Sequence, residues 1–145
     1  MNYTMIRLLS MIIILGFSLA ASEVALKKED TTAAAKAPVA ITEVSMADVE
    51  AALANKVTVV VDASGSGDII EGALRIAANA DNGVITANLK DKNAEIIIYC
   101  GGPRCPSSMT LAYRLVDLGY TNVKHYAGGI SEWKEKNKPI ATPAK

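Results

Sequence analysis

The residues best suited to covalent chemistry lie in one short segment, Tyr99-Cys100-Gly101-Gly102-Pro103-Arg104-Cys105-Pro106-Ser107-Ser108. A thiol acts as a nucleophile in its thiolate form, so what surrounds the cysteine decides whether it reacts. The segment follows an apolar β-branched run and precedes a helical pattern. A cysteine at its start faces unpaired backbone N–H groups and the positive end of a helix dipole, which predicts a lowered Cys100 pKa. Gly101 and Gly102 let the backbone curl close to the sulfur, Arg104 offers a cation to an anionic substrate, and Pro103 and Pro106 stiffen the turn. The plainer reading of Cys100 is a small hydrophobe at a strand end.

Cys105 has three readings. It can pair with Cys100 in a disulfide, serve as a resolving thiol, or be structural. Two cysteines and one distant histidine do not make a zinc site, and no cofactor is called for. His125, beside Tyr126 in a strand pattern, reads as a packed or surface histidine rather than a general base. Asp62 reads as a loop cap, and Ile130 and Trp133 as core residues. The Ser64 to Gly67 stretch lacks the Lys-Ser/Thr ending of a phosphate-binding loop.

The elements that must hold this loop follow from hydrophobic pattern. Ser45 and Asp48 form a capping-box-like pair, and Val49, Ala52 and Leu53 recur at helical spacing, so Met46 to Asn55 is predicted as a helix. Val57 to Val61, ending at Asp62, and Glu95 to Cys100 suit strands buried on both faces. Leu74 to Ala78 reads as a short strand, and Val84 to Leu89 as a helix beginning from Asp81 or Asn82. Ser107 to Leu118 carries Leu111, Leu115 and Leu118 on one face, with Gly119 as a stop. Val123 to Tyr126 is a third strand, and Ile130 to Lys136 a closing helix. Alternating strands and helices imply an α/β fold with a mostly parallel central sheet flanked by helices, whose chemistry gathers where strands end and helices begin.

The chain has 145 residues, with Lys+Arg and Asp+Glu both 15, which allows one domain and gives no charge reason to expect nucleic acid. Arg7 followed by the apolar run from Leu8 to Phe17, with Ser18 and Ala20 at the small-x-small positions, reads as a signal peptide over residues 1–20. The expected location is exported, periplasmic or extracellular. Contact with a membrane would come only through an uncleaved leader, which is shorter than the roughly 20 residues a span needs. Cleavage removes Arg7 and no acidic group, leaving the mature chain with one excess negative charge. Residues 21–40, rich in Ala, Lys, Thr and Glu, read as a flexible tether, residues 41–140 as the domain, and 141–145 as a tail.

The segment from Cys100 to Trp133 resembles the C-terminal half of a rhodanese-like domain. It carries a Tyr-Cys at a strand end, then Leu118-Gly119-Tyr120-Thr121-Asn122-Val123, then Ala127-Gly128-Gly129-Ile130-Ser131-Glu132-Trp133. The resemblance extends more faintly back to about Ile41. It implies the three-layer rhodanese-like fold and a sulfurtransferase in which Cys100 accepts a sulfane sulfur as a persulfide. By the same resemblance Gly101, Gly102, Arg104, Cys105, Ser107 and Ser108 bind substrate. The donor would be thiosulfate or a persulfide, and the acceptor a thiol or a cyanide-like nucleophile. In related loops the cysteine points into the amide cradle and the sixth position points away, which implies that Cys100 and Cys105 stay free thiols. The chain departs from the family pattern at three places. It has Asp62-Ala63-Ser64 where Asp-x-Arg is usual, no histidine before Glu71-Gly72-Ala73, and Cys105 where an arginine is common. Two alternatives stand beside the sulfurtransferase: a non-catalytic rhodanese-like binding module, and a thiol-disulfide redox protein using Cys100 and Cys105. A phosphatase, with the same fold and cysteine, would need a longer loop closed by arginine.

Overall fold

The computed structural model describes residues 40–142; the expected signal peptide, residues 1–20, and all but the last residue of the expected tether lie outside the described residues. In chain order the elements are β1 (Thr42–Glu43), α1 (Met46–Asn55), β2 (Val59–Asp62), β3 (Ile69–Ile70), β4 (Leu74–Arg75), α2 (Asn82–Asn88), β5 (Ile96–Tyr99), α3 (Ser107–Asp117), β6 (Val123–His125), α4 (Gly129–Glu135) and β7 (Ile140–Ala141). The five-stranded sheet has the order β1-β6-β5-β2-β4, with every neighbouring pair parallel. β3 and β7 form a separate antiparallel pair.

The central position of β5 follows from its composition. Ile96, Ile97, Ile98 and Tyr99 are all buried, as a parallel strand covered on both faces requires. Successive side chains point to opposite faces. Ile96, Ile98 and Cys100 therefore join Leu111, Ala112 and Leu115 of α3 and Ile85 of α2 in one core. Ile97 and Tyr99 join Val49 and Ala52 of α1 and Trp133 of α4 in the other. Each fully buried isoleucine contributes about 1.5–3 kcal/mol relative to exposure, so the strand that ends at Cys100 is also the best-anchored part of the sheet.

The predicted helix over Met46–Asn55 is present with those bounds. It is opened by a capping box in which the Asp48 carboxylate accepts from the Ser45 backbone N–H at 2.8 Å and the Ser45 hydroxyl accepts from the Asp48 N–H at 3.4 Å. The strand expected from Val57 begins only at Val59. The Asn55 side chain accepts from the N–H groups of Val57 and Thr58, which holds both in a turn after the helix and leaves Val57 exposed. The strand expected over Leu74 to Ala78 is limited to Leu74–Arg75, and an Ala80 to Ala77 backbone bond turns the chain soon after. Three strands of two residues each, β1, β3 and β7, had no counterpart in the sequence reading. β7 reaches Ala141, so folded structure continues past the predicted domain end at residue 140.

Asp62 is buried where β2 ends. It accepts from the Ser64 N–H and hydroxyl, closing the loop, and pairs with Arg75 at 2.8 Å. An arginine thus reaches this carboxylate from the facing position of β4, although residue 64 is serine where the family pattern has arginine.

Candidate active site

All five strands of the sheet run the same way, so their C-terminal ends share one edge. Register places His125 opposite Ile98 on β5 and opposite Glu43 on β1. Cys100 follows β5 directly and lies on the same face as Ile98, two residues on. The sheet thereby brings Cys100 and His125 to neighbouring positions beneath the N-terminus of α3.

Ser108, in the first turn of α3, fills the gap between them and is fully buried. Its Oγ lies 3.1 Å from Cys100 Sγ and 2.9 Å from His125 Nε2. The three side chains form one hydrogen-bonded line from thiol to imidazole. His125 is packed, as one of its two expected placements had it, and it is in addition linked to Cys100 through Ser108. Sequence distance hid this, because 25 residues of numbering separate Cys100 from His125 and only strand register joins them. Burial holds the His125 pKa below its ordinary value, with Glu43 acting the other way, so the ring is neutral at pH 7 and can accept a proton.

The expected lowering of the Cys100 pKa is not found. Burial raises the thiol above its ordinary 9.0, and the Cys105 thiol acts in the same direction. The Ser108 hydroxyl and the amides of Ser108 and Gly102 do favour the thiolate, as the cradle predicts, but they are outweighed. The geometry agrees, since Sγ also lies 3.1 Å from the Cys105 carbonyl oxygen, an acceptor that suits a thiol and repels a thiolate.

Cys105 is likewise placed otherwise than the family comparison implied. The loop tightens through a Cys105 N–H to Gly102 carbonyl bond of 3.0 Å, which brings Cys105 back toward Cys100. The Cys105 side chain is half-buried against the core that contains Cys100, and the two thiols interact. Burial pushes the Cys105 pKa up, but the Cys100 thiol, the Gly101 amide and the Ser107 amide and hydroxyl outweigh it, for a net lowering to about 7. Both cysteines are free thiols.

The underside of the loop is fixed by α4. The Ile130 N–H donates to the Cys100 carbonyl at 2.9 Å, the Ser131 N–H donates to the Gly101 carbonyl at 3.1 Å, and the Ser131 hydroxyl donates to the same Gly101 oxygen. Gly129 makes that approach possible. Its φ is +58°, and a Cβ there would press on the Cys100 carbonyl and lie 2.7 Å from the Gly102 nitrogen. On the outer side is an open depression of about 460 Å³, lined by Gly102, Pro103, Arg104, Cys105 and Ser131. Arg104 is exposed there, whereas Cys100 is only 2% exposed and is not among the lining residues. Of the residues predicted to bind substrate, Gly102, Arg104 and Cys105 line this depression. Ser107 supports Cys105, Ser108 lies inside against the nucleophile, and Gly101 holds the loop to α4. Among the described residues no group of three or more His, Cys, Asp or Glu is placed to hold a metal ion.

The sequence matches the model of the rhodanese-like domain over residues 45–136, which takes in four of the five strands of the sheet and the whole loop. The chain belongs to the rhodanese-like domain family. The Bacillus halodurans protein BH2092 is similar in structure, with a TM-score of 0.62 and 29% identity over 70% of this chain and 77% of that one. A rhodanese-related protein from Thermoplasma volcanium superposes with a TM-score of 0.54 at 19% identity, covering 70% of this chain and 99% of that one. A thiosulfate sulfurtransferase from Pseudomonas aeruginosa gives a TM-score of 0.63 at 22% identity, over 72% of this chain but 20% of its own. At those identities the last two likenesses bear on the fold alone. No curated protein matches the sequence. The five-stranded parallel sheet with helices on both faces is thus the rhodanese-like fold, and Cys100 occupies the strand-to-helix loop of a rhodanese-like domain.

Proposed function

We propose that this rhodanese-like protein is a sulfurtransferase that works outside the cytoplasm and carries sulfane sulfur on Cys100. The observation that carries the proposal is the thiol-to-imidazole line, in which Ser108 bridges Cys100 Sγ and His125 Nε2 at 3.1 and 2.9 Å. A thiol whose pKa is raised by burial needs a proton acceptor, and this line supplies one. The proton passes to Ser108 as Ser108 passes its own to His125. The freed thiolate attacks the outer sulfur of thiosulfate, sulfite leaves with the electrons of the broken S–S bond, and Cys100 holds a persulfide. A thiol or cyanide-like acceptor then attacks the outer persulfide sulfur and regenerates the Cys100 thiolate. No cofactor enters these steps. The leader pattern over residues 1–20 supports export.

Intact-mass measurement of the protein taken from its native compartment, reduced and exposed to thiosulfate, tests both parts. A chain beginning at Ala21 and gaining one sulfur atom, removable by cyanide, is the expected result. A chain that still carries its leader, or that gains no sulfur, contradicts the corresponding part.

The proton line makes a pH prediction. His125 is held below 6.5 and Cys100 above 9.0, so between about pH 7 and pH 8.5 the ring is neutral and the thiol protonated; in a Cys105→Ser background, used throughout this comparison because it removes the neighbouring thiol that titrates near 7, the rate of persulfide formation should be nearly level. His125→Gln keeps a hydrogen-bonding group but removes the base. It should slow the step about a hundredfold at pH 7 and make the rate climb about tenfold per pH unit, as free thiolate becomes the only nucleophile. A level profile in the variant would show that His125 only packs.

Arg104 lines the depression, exposed and without a partner among the described residues, and so can meet a dianion. Arg104→Ala should weaken reaction with thiosulfate by about one to two orders of magnitude and leave a neutral persulfide donor nearly unaffected, in keeping with a charge-assisted contact worth about 1.5–3 kcal/mol. Equal loss with both donors would assign Arg104 to loop shape instead.

A further inference from the structure

The second thiol has no part in the transfer just described, yet the loop is folded to keep it beside the first. The bond from the Cys105 N–H to the Gly102 carbonyl turns the chain back on itself at the loop's end. Its consequence is that the Cys105 carbonyl lies 3.1 Å from Cys100 Sγ, while the Cys105 side chain packs against the core that contains Cys100. Cys105 also lines the open depression on the outer side of the loop, together with Gly102, Pro103 and Arg104. A persulfide on Cys100 would therefore form with a thiol already next to its inner sulfur.

We infer that Cys105 resolves the Cys100 persulfide: its thiolate attacks the inner sulfur, a Cys100–Cys105 disulfide forms, and the outer sulfur leaves as hydrosulfide. This rests on the proposed persulfide and adds an activity to it, the reductive release of sulfide without an external acceptor. The balance is complete within the protein. The S–S bond of the persulfide breaks, and its electron pair departs with the outer sulfur, which is reduced from the sulfane to the sulfide level. Two cysteine sulfurs are oxidised to a disulfide, and the proton of the Cys105 thiol goes to solvent. A dithiol must then reduce the disulfide before a second turnover, so over a full cycle thiosulfate and a dithiol give sulfite, sulfide and a cyclic or protein disulfide.

The site is suited to the step in two respects. The attacking group is Cys105, whose thiolate is favoured by the Gly101 amide and the Ser107 amide and hydroxyl, contacts that do not depend on the Cys100 thiol and so persist once Cys100 carries sulfur. Cys100, the residue that becomes sulfur-loaded, is only 2% exposed, which slows attack on its inner sulfur by bulky external thiols relative to a neighbour in the same loop.

The test is a single-turnover experiment under exclusion of oxygen. The full-length protein is reduced, freed of reductant and mixed with an equimolar amount of thiosulfate, with no acceptor present. Sulfide is trapped with a bimane reagent, and the protein is quenched in acid for intact mass and peptide mapping. The wild type should release about one equivalent of sulfide per chain, lose the mass of two hydrogens and show a Cys100 to Cys105 crosslink. Cys105→Ser, at whatever rate it is loaded by thiosulfate or by a small alkyl persulfide, should then hold the added sulfur atom and release less than about a tenth as much sulfide per persulfide formed. A wild type that holds its persulfide as long as the variant does, with no sulfide released, overturns the inference while leaving the sulfurtransferase reading intact. A Cys105→Ser protein that gains no sulfur from thiosulfate or from a small alkyl persulfide overturns both. Air oxidation would produce the crosslink without sulfide, so the crosslink alone counts against the inference.

Discussion

Cys100→Ser is expected to lose sulfur transfer from thiosulfate by at least about a thousandfold while unfolding within about 1 kcal/mol of the parent. The activity disappears because an alcohol in the same place is neither acidic enough nor nucleophilic enough to take sulfur. The stability persists because the serine oxygen inherits the thiol's surroundings. Both the Cys105 carbonyl and the Ser108 hydroxyl lie 3.1 Å from the sulfur position, so a buried hydroxyl would not be left without a partner. Steady-state thiocyanate formation and urea denaturation on the same preparation give the two readings. Transfer at the parental rate would place the sulfur elsewhere, and Cys105, with its lower pKa and its position on the wall of the depression, would become the nucleophile.

The route to this site was legible in parts of the sequence that act locally. The Ser45 and Asp48 pair, the Ile96 to Tyr99 run, and the spacing of Leu111 and Leu115 each describe a few consecutive residues, and each appears as predicted. So did the position of Cys100 between a buried strand and a helix, and the role of Asp62 as a loop cap. What was not legible depended on pairing across the chain. β3 and β7 are two residues each and exist because Ile69–Ile70 meets Ile140–Ala141 some seventy positions away; two residues carry no periodicity to detect. His125 reaches Ser108 only through the register of β6 with β5.

The electrostatics of the two cysteines was illegible for another reason. A helix N-terminus and a ring of amides are visible in a sequence pattern, whereas the depth of burial that opposes them is a property of the packed core. At Cys100 burial wins, and at Cys105, closer to the surface, the hydrogen bonds win. The family resemblance similarly indicated the loop but not the direction of Cys105, since that position carries arginine in the common pattern and a short thiol can turn where a long cation cannot.

Gly129→Ala should be the most damaging small substitution in the domain, although position 129 is far from the cysteines in sequence. A left-handed φ of +58° costs an L-residue about 1–2 kcal/mol. The added methyl would also press on the Cys100 carbonyl oxygen and lie 2.7 and 2.9 Å from the Gly102 nitrogen and Cα, none of which is the movable end of a side chain. Overpacking of this kind costs about 1–3 kcal/mol, so a total loss near 3 kcal/mol is expected in urea unfolding. Relief can come only by moving α4 away from the loop, which breaks the bonds from Ile130 and Ser131 to the carbonyls of Cys100 and Gly101. The nucleophile then loses its fixed position, and a misplacement of about 1 Å lowers reactivity on the order of a hundredfold. Gly128→Ala is the matched comparison. Its φ of −59° is ordinary, and the methyl would meet chiefly the Glu132 side chain. That carboxylate can swing to solvent at the expense of its hydrogen bond from the Tyr126 hydroxyl, a loss of about 1 kcal/mol. If the two alanine variants unfold alike and react with thiosulfate alike, the close approach of α4 to the loop does not position Cys100, and the glycine pair serves the turn alone.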